Sequence, residues 1–211
     1  PFPEEFNRQL VDMVSFLYFA PTKTAKNNLF GEGKNLQDIY VTGNTVIDAF
    51  QYTLSSDYTD ENLKWAEGSR LILLTAHRRE NLGEPMKNIF RAVRRVAEEI
   101  SDVKVIFPVH KNPQIRKMAE DYLNEMDNIR MIEPLDVIAF HNYMAGSFLI
   151  LTDSGGIQEE APSLGVPVLV MRDTTERPEG VEAGVLKLVG TQEADIYRVL
   201  VKMLQDKEEY Q

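Results

Sequence analysis

No cysteine occurs among the 211 residues, which removes disulfide cross-links and thiolate metal ligands and fits a reducing compartment. Positive charge is scarce: 23 Lys and Arg stand against 33 Asp and Glu, a formal net charge of −10. Holding a nucleic-acid backbone needs a basic field, so a general nucleic-acid surface is excluded, while a local Arg/His pocket for one diphosphate stays open. Long apolar runs are missing too, and none reaches the length that spans a bilayer. The first twenty residues carry Glu4, Glu5 and Asp12 where a signal peptide has a basic end, so neither membrane nor secretion is expected. An initiating methionine is also lacking. Pro1-Phe2-Pro3-Glu4-Glu5 reads as a loop in mid-protein, and a fragment is expected. Neither an internal repeat nor a low-complexity tract is present, and 43% hydrophobic residues suffice for a real core.

What is there is a βαβα rhythm. Leu71 to Thr75 reads as a strand, and Met86, Ile89, Phe90, Val93, Val96, Ala97 and Ile100 then recur at three and four residues, a helix with one apolar face. Val103 to Val109 is the next strand, and Asn112-Pro113 supplies a cap and a first-turn proline for a helix to about Glu125. Strands at 129–132, 148–152, 166–171 and 185–189 follow, with helices at 135–145, 156–164 and 192–206 around them. Strands separated by helices of this length pair in parallel through right-handed crossovers, which predicts an α/β doubly wound parallel sheet. Residues 1–43 stand apart, with a helix from Glu4 to Met13, a strand from Phe16 to Phe19, a helix from Thr22 to Leu29 and a last strand at Ile39 to Val41. They read as the tail of a preceding α/β domain and a hinge, with a second domain over 44–211.

The most informative run is residues 151–180, LTDSGGIQEEAPSLGVPVLVMRDTTERPEG. A strand ends at Thr152, Asp153-Ser154-Gly155-Gly156 breaks it, and a helix follows. Glycines let backbone approach a ligand, and the open N–H groups of a first helical turn favour an anion. Ser154 adds a hydroxyl, as cap or as ligand. If Gly156 opens the helix, Glu160 lies about one turn in, within reach of sugar hydroxyls, with the adjacent Glu159 turned to solvent. After the next strand, the charged loop from Arg172 to Glu179 supplies guanidinium and hydroxyl donors on the edge where open α/β sheets bind ligands. A bare Gly-Gly after a strand is equally a tight βα connection, and the second loop is what favours a phosphate site.

Further candidates project from other strand ends. His77-Arg78-Arg79-Glu80-Asn81 follows the first strand of the large sheet and suits an anion and a proton-transferring imidazole, against a plain reading in which Arg78 or Arg79 pairs with Glu80. His110 follows the second strand. No His-x-x-His or carboxylate-bridged spacing accompanies the two histidines, so no metal is expected. His141 sits within a helix, as a surface or packing residue. Phe140 beside it is placed to stack a nucleobase, or to pack in the core.

HRREN at 77–81, PVHKNP at 108–113, the run at 151–180 and TGNTVIDA at 42–49 together resemble the non-hydrolysing, bacterial-type UDP-N-acetylglucosamine 2-epimerases, over essentially the whole chain. The resemblance implies the C-terminal portion of a two-domain glycosyltransferase-B-type fold, its Rossmann-like C-terminal domain preceded by a remnant of the N-terminal one. It also implies interconversion of UDP-GlcNAc and UDP-ManNAc, by anti elimination of UDP to 2-acetamidoglucal and re-addition, in a cytoplasmic homodimer serving cell-surface polysaccharide synthesis without a cofactor. Residue by residue, it implies that Ser154, Gly155 and Gly156 take the diphosphate, Glu160 the ribose hydroxyls, Arg177 a phosphate, and that Phe140 lies against the uracil. His77 and Glu4 match catalytic positions, while Arg78, His110 and Glu4 match positions of a second, allosteric UDP-GlcNAc. Other catalytic acids of the family lie upstream, so this stretch alone is expected not to turn over. Two alternatives stay open: a UDP-sugar-dependent glycosyltransferase of the same fold, and a hydrolysing 2-epimerase that releases ManNAc.

Overall fold

The computed structural model describes residues 3–210, and the Pro1-Phe2 end of the expected opening loop lies outside them. The chain divides into two compact units, Pro1–Ala49 and Phe50–Gln211. The division falls inside a helix, a few residues beyond the hinge read at residues 43–44.

In the first unit, α1 (Glu4–Val14) is followed by β1 (Tyr18–Ala20), α2 (Lys23–Gly31) and β2 (Ile39–Val41), and α3 (Thr45–Thr53) begins. The Thr22 hydroxyl caps α2 by accepting from Ala25 N at 3.0 Å. β1 pairs with β2 in parallel, Tyr18 opposite Ile39. The strand starts at Tyr18 and not at Phe16, because Phe16 and Leu17 precede the paired stretch. Phe6, Leu10 and Val14 form an apolar stripe along α1, and all three are exposed.

The second unit continues with α4 (Glu61–Ala66), β3 (Arg70–Thr75), α5 (Glu84–Glu99), β4 (Val103–Pro108), α6 (Pro113–Leu123), β5 (Ile129–Ile132), α7 (Val137–Ala145), β6 (Leu149–Thr152), α8 (Ile157–Glu160), β7 (Val168–Val170), α9 (Pro178–Glu182), β8 (Leu186–Leu188), α10 (Glu193–Gln205) and α11 (Lys207–Tyr210). The Asn112-Pro113 start acts as the sequence suggests, and α7, read from residue 135, starts at Val137 behind an Asp136 cap. Asn112 accepts from Gln114 N at 2.9 Å ahead of Pro113, and Asp136 accepts from Ala139 N at 2.8 Å to open α7. Gly83, with φ at 91°, makes the left-handed turn that starts α5.

Six parallel strands form the sheet in the order β5-β4-β3-β6-β7-β8, that is, 3-2-1-4-5-6 within the unit. This is the doubly wound order, and its direction reverses between β3 and β6. One face presents Ile72, Leu74, Val105, Phe107, Leu149, Leu151 and Leu169 to the apolar sides of α5, α6 and α10. The alternating residues Leu73, Ile106, Ile150 and Val170 are equally buried, as a parallel sheet covered on both faces requires. No helix among the described residues is long and apolar enough to cross a membrane.

Two expectations near the Ser-Gly-Gly turn need correction. The helix read over 156–164 is one α turn, α8, followed by a 3-10 turn at Ala161–Leu164 that ends on left-handed Gly165. Pro162 has no N–H to give Gln158 and so tightens the second turn. The charged loop read to Glu179 stops earlier, since Pro178 opens α9 at its first position.

Candidate nucleotide site at the switch point

The site is built where the strand order reverses, since Thr75 and Thr152 are register partners at the ends of β3 and β6. Their hydroxyls hydrogen-bond at 2.6 Å in the interior, and Thr152 Oγ1 accepts from Ser154 N at 2.9 Å. The next residue, Asp153, has a carboxylate with no exposed surface. A buried carboxylate is tolerated only with donors around it. Here they come from the loop after β3: His77 N and Arg78 N donate at 2.9 Å, and Asn81 Nδ2 at 3.1 Å. Asn81 also donates to the Met171 carbonyl at 3.3 Å, which brings in the end of β7. Asp153 thereby fastens the HRREN loop to the Ser-Gly-Gly turn.

At the turn itself, Gly155 and Gly156 N–H groups enter none of the backbone hydrogen bonds. Arg78 Nη2 lies 3.5 Å from where a Gly155 Cβ would stand, and Glu160 Oε1 lies 3.4 Å from the corresponding point at Gly156. A cation from the loop after β3, two open N–H groups and a carboxylate one turn along are thus gathered around one short segment. Ser154 is not the cap, since Gly156 occupies that position and no side chain bonds there. The Glu160 carboxyl is pushed up by burial first and by Glu159 second. His141 Nε2 stands 3.6 Å from it. His141 is a packing residue, 1% exposed, with Nδ1 2.7 Å from the Thr53 hydroxyl and its ring edge-on to Phe50. Burial pushes its imidazole pKa down. Phe140, on the same helix, is partly exposed.

The loop after β7 is knitted by charge. Arg172, 7% exposed, donates to both oxygens of Glu176 at 2.6 and 3.0 Å and pairs with Glu80 at 3.1 Å. Arg78 stands 3.5 Å from both Glu80 and Glu176. The Arg172 guanidinium holds the Glu176 carboxyl down at about 2. Arg177 is not open to an anion as expected: its Nε pairs with Glu159. Glu159 is accordingly not turned to solvent, and its side chain is as buried as that of Glu160, each 17% exposed.

His77 and His110 are exposed neighbours with rings stacked at 5.8 Å, and His77 Nε2 is 3.8 Å from Asp153. Asn112 N donates to His110 Nδ1 at 3.1 Å. Glu4, at the first position of α1, belongs to the other unit and is exposed. The second unit therefore brings together His77, Arg78, His110, Ser154, Gly155, Gly156, Glu160 and Arg177, with Phe140 on the neighbouring helix α7. Among the described residues, no cluster of three or more His, Asp or Glu side chains is arranged to hold a metal.

A family model described as UDP-N-acetylglucosamine 2-epimerase matches residues 1–211. The chain belongs to that family. Among its members, the UDP-N-acetylglucosamine 2-epimerase of Bacillus subtilis is 56% identical over 210 residues, which cover 100% of this chain and 55% of that protein. S. aureus MnaA, in a co-structure with UDP, superposes with a TM-score of 0.96 at 52% identity, covering 100% of this chain and 57% of that one. A Neisseria meningitidis UDP-GlcNAc 2-epimerase bound to UDP-GlcNAc gives 0.90 at 44% identity, covering 100% of this chain and 59% of that one. The chain thus spans little more than half the length of these relatives.

Within this epimerase-family chain, sequence reading passed over Gln158 and the buried role of Asp153, and it took Asn81, Thr175 and Arg172 as groups facing a ligand, whereas they face Asp153, Gln158 and Glu176. Asp153 had a signal, an acid directly at a strand's end in a run otherwise apolar, but it reads there only as a strand breaker.

Proposed function

We propose that the protein to which this chain belongs is a non-hydrolysing UDP-N-acetylglucosamine 2-epimerase, and that residues 50–211 form its UDP-holding half. The observation that carries this reading is the Asp153-centred junction, which sets the anion-favouring Ser154–Gly156 turn, Arg78 and His77 on one edge of the sheet. Gly155 and Gly156 N–H groups and the Ser154 hydroxyl would take the diphosphate, Glu160 the ribose hydroxyls and Phe140 the uracil. Arg177 would reach a phosphate on giving up Glu159. Inversion at C2 by anti elimination of UDP and re-addition needs a proton removed and returned, and donors on the departing diphosphate. His77 and Glu4 are assigned to the first task, the turn and Arg78 to the second. Arg78 and His110, with Glu4, are also the residues assigned to a second UDP-GlcNAc. A cytoplasmic homodimer goes with this reading.

In the full-length protein, incubation with UDP-GlcNAc in deuterated water should yield UDP-ManNAc with deuterium at C2. Transfer of GlcNAc to an acceptor without epimerisation, or release of free ManNAc as the first product, would replace this reading by one of its two alternatives. UDP titration should show a loss of about tenfold or more in Glu160→Gln, since the charged acceptor for two hydroxyls is gone. UDP affinity of the unsubstituted protein should fall on acidification from a higher pH than an ordinary glutamate would give, because Glu160 is pushed up and its protonated form no longer accepts both bonds. The part of that dependence owed to Glu160 should vanish in Glu160→Gln, leaving the part owed to the terminal phosphate of UDP, which itself titrates at about 6.

A further inference from the structure

Gln158 is 2% exposed although its side chain is polar, and both ends of its amide are used. Nε2 donates to the Ser154 carbonyl at 3.0 Å, and Oε1 accepts from the Thr175 hydroxyl. The Thr175 oxygen accepts in turn from Arg177 N at 3.0 Å. Only an amide nitrogen can face a carbonyl, so the orientation of Gln158 is set, and with it the direction in which the Thr175 proton points. This relay runs from the Ser-Gly-Gly turn through α8 to the backbone of Arg177 in the loop after β7. A second tie between these segments, Arg177 to Glu159, uses the arginine head that a phosphate would take.

We propose that Gln158 and Thr175 are positioning residues for a nucleoside diphosphate: they hold the Arg177 backbone at a set distance from the Ser154–Gly156 turn, so that Arg177 can exchange Glu159 for a phosphate without its loop drifting away. The inference rests on the nucleotide reading above. Neither side chain touches the ligand. Their contribution is to pre-order the loop, because a donor that is already in place loses less freedom on binding.

The test uses Thr175→Val, which keeps the shape and removes both hydrogen bonds, Thr175→Ser, which keeps both, and Gln158→Glu, which sets a second acceptor against the Ser154 carbonyl. Binding of UDP and of uridine to the full-length protein is measured by calorimetry. Thr175→Val and Gln158→Glu should weaken UDP about tenfold while uridine changes less than about twofold, and Thr175→Ser should restore UDP to within about threefold. Equal weakening of UDP and uridine would reduce the pair to general structural support and overturn the proposal. Wild-type affinity for UDP in Thr175→Val would overturn it as well. If the unsubstituted protein binds uridine and UDP alike, it is the diphosphate site itself that fails, which separates that failure from this one.

Discussion

The outer face of α5 and the switch point both carry opposed charges, yet they use them in opposite ways. On α5, Arg94 pairs with Glu98 and Arg95 with Glu99 at 2.8 and 2.9 Å, with every side chain 40–49% exposed. At the switch point, the Asp153 carboxylate has no exposed surface and the Arg172 side chain 8%. Water screens the first set and would solvate either partner left alone; it cannot do so for the second. The helix pairs are therefore replaceable decoration on an element already held by its apolar side, where Met86, Ile89, Phe90, Ala92, Val93, Val96 and Ala97 are buried. The switch-point charges are structural commitments that fix where three loops sit.

Asp153→Ala is the substitution that tests this difference hardest. It leaves His77 N and Arg78 N facing a space without an acceptor, and Asn81 Nδ2 with only the Met171 carbonyl. Unsatisfied buried donors cost about 1–3 kcal/mol each, partly offset by water entry, so a loss of about 3–5 kcal/mol is expected by urea denaturation. Asp153→Asn should fall between, because its oxygen can stand where Oδ2 accepts from all three donors, while the amide nitrogen meets the His77 N–H that Oδ1 shares. A loss under about 1 kcal/mol in Asp153→Ala would place this carboxylate in the same class as those on α5 and erase the distinction.

Glu176 lies between the two extremes, paired by Arg172 but with 40% of its side chain exposed. Its carboxyl is held down from the ordinary 4.5 to about 2, chiefly by hydrogen bonds from Arg172. A depressed folded-state pKa contributes stability that is present above the unfolded value and lost as pH falls through the folded one. The loop after β7 should therefore loosen between about pH 4.5 and pH 2, seen as faster amide exchange at residues 172–177. Glu176→Gln should show that looser state already at neutral pH and no further change across the acid range. The effect should be smaller than that of Asp153→Ala, since solvent screens half-exposed pairs.

The large sheet was legible from alternation alone, because strands buried on both faces are unbroken apolar runs and α5 repeats its apolar residues at three and four. Capping by Asn112 is local chemistry, so its start signal survives folding unchanged. The short α8 was less legible. Gly156, Ile157 and the two glutamates permit a longer helix, and only the cost of Pro162 to the second turn decides against it. Least legible was pairing across the site. Nothing in the order of residues says that Arg177 turns to Glu159 or that Asp153 gathers backbone N–H groups from a loop some seventy-five positions earlier. Such contacts exist only once β3 and β6 are neighbours, which the 3-2-1-4-5-6 order brings about.

The smallest effect is expected from Glu98→Gln on α5. Arg94 loses its i,i+4 partner, but its Nη1 still donates to the Tyr122 carbonyl at 3.1 Å and its Nε is open to water. The pair also runs Arg before Glu, the weaker orientation along a helix. No change in melting temperature outside experimental error should follow, and added salt should leave the variant and the unsubstituted protein equally stable. Arg94→Gln should cost more than Glu98→Gln, because it also gives up the Tyr122 carbonyl that ties α5 to the end of α6. A reversed order, with Glu98 the costlier loss, would show that charge and not the carbonyl bond holds that side chain, and the outer face of α5 would then resemble the switch point after all.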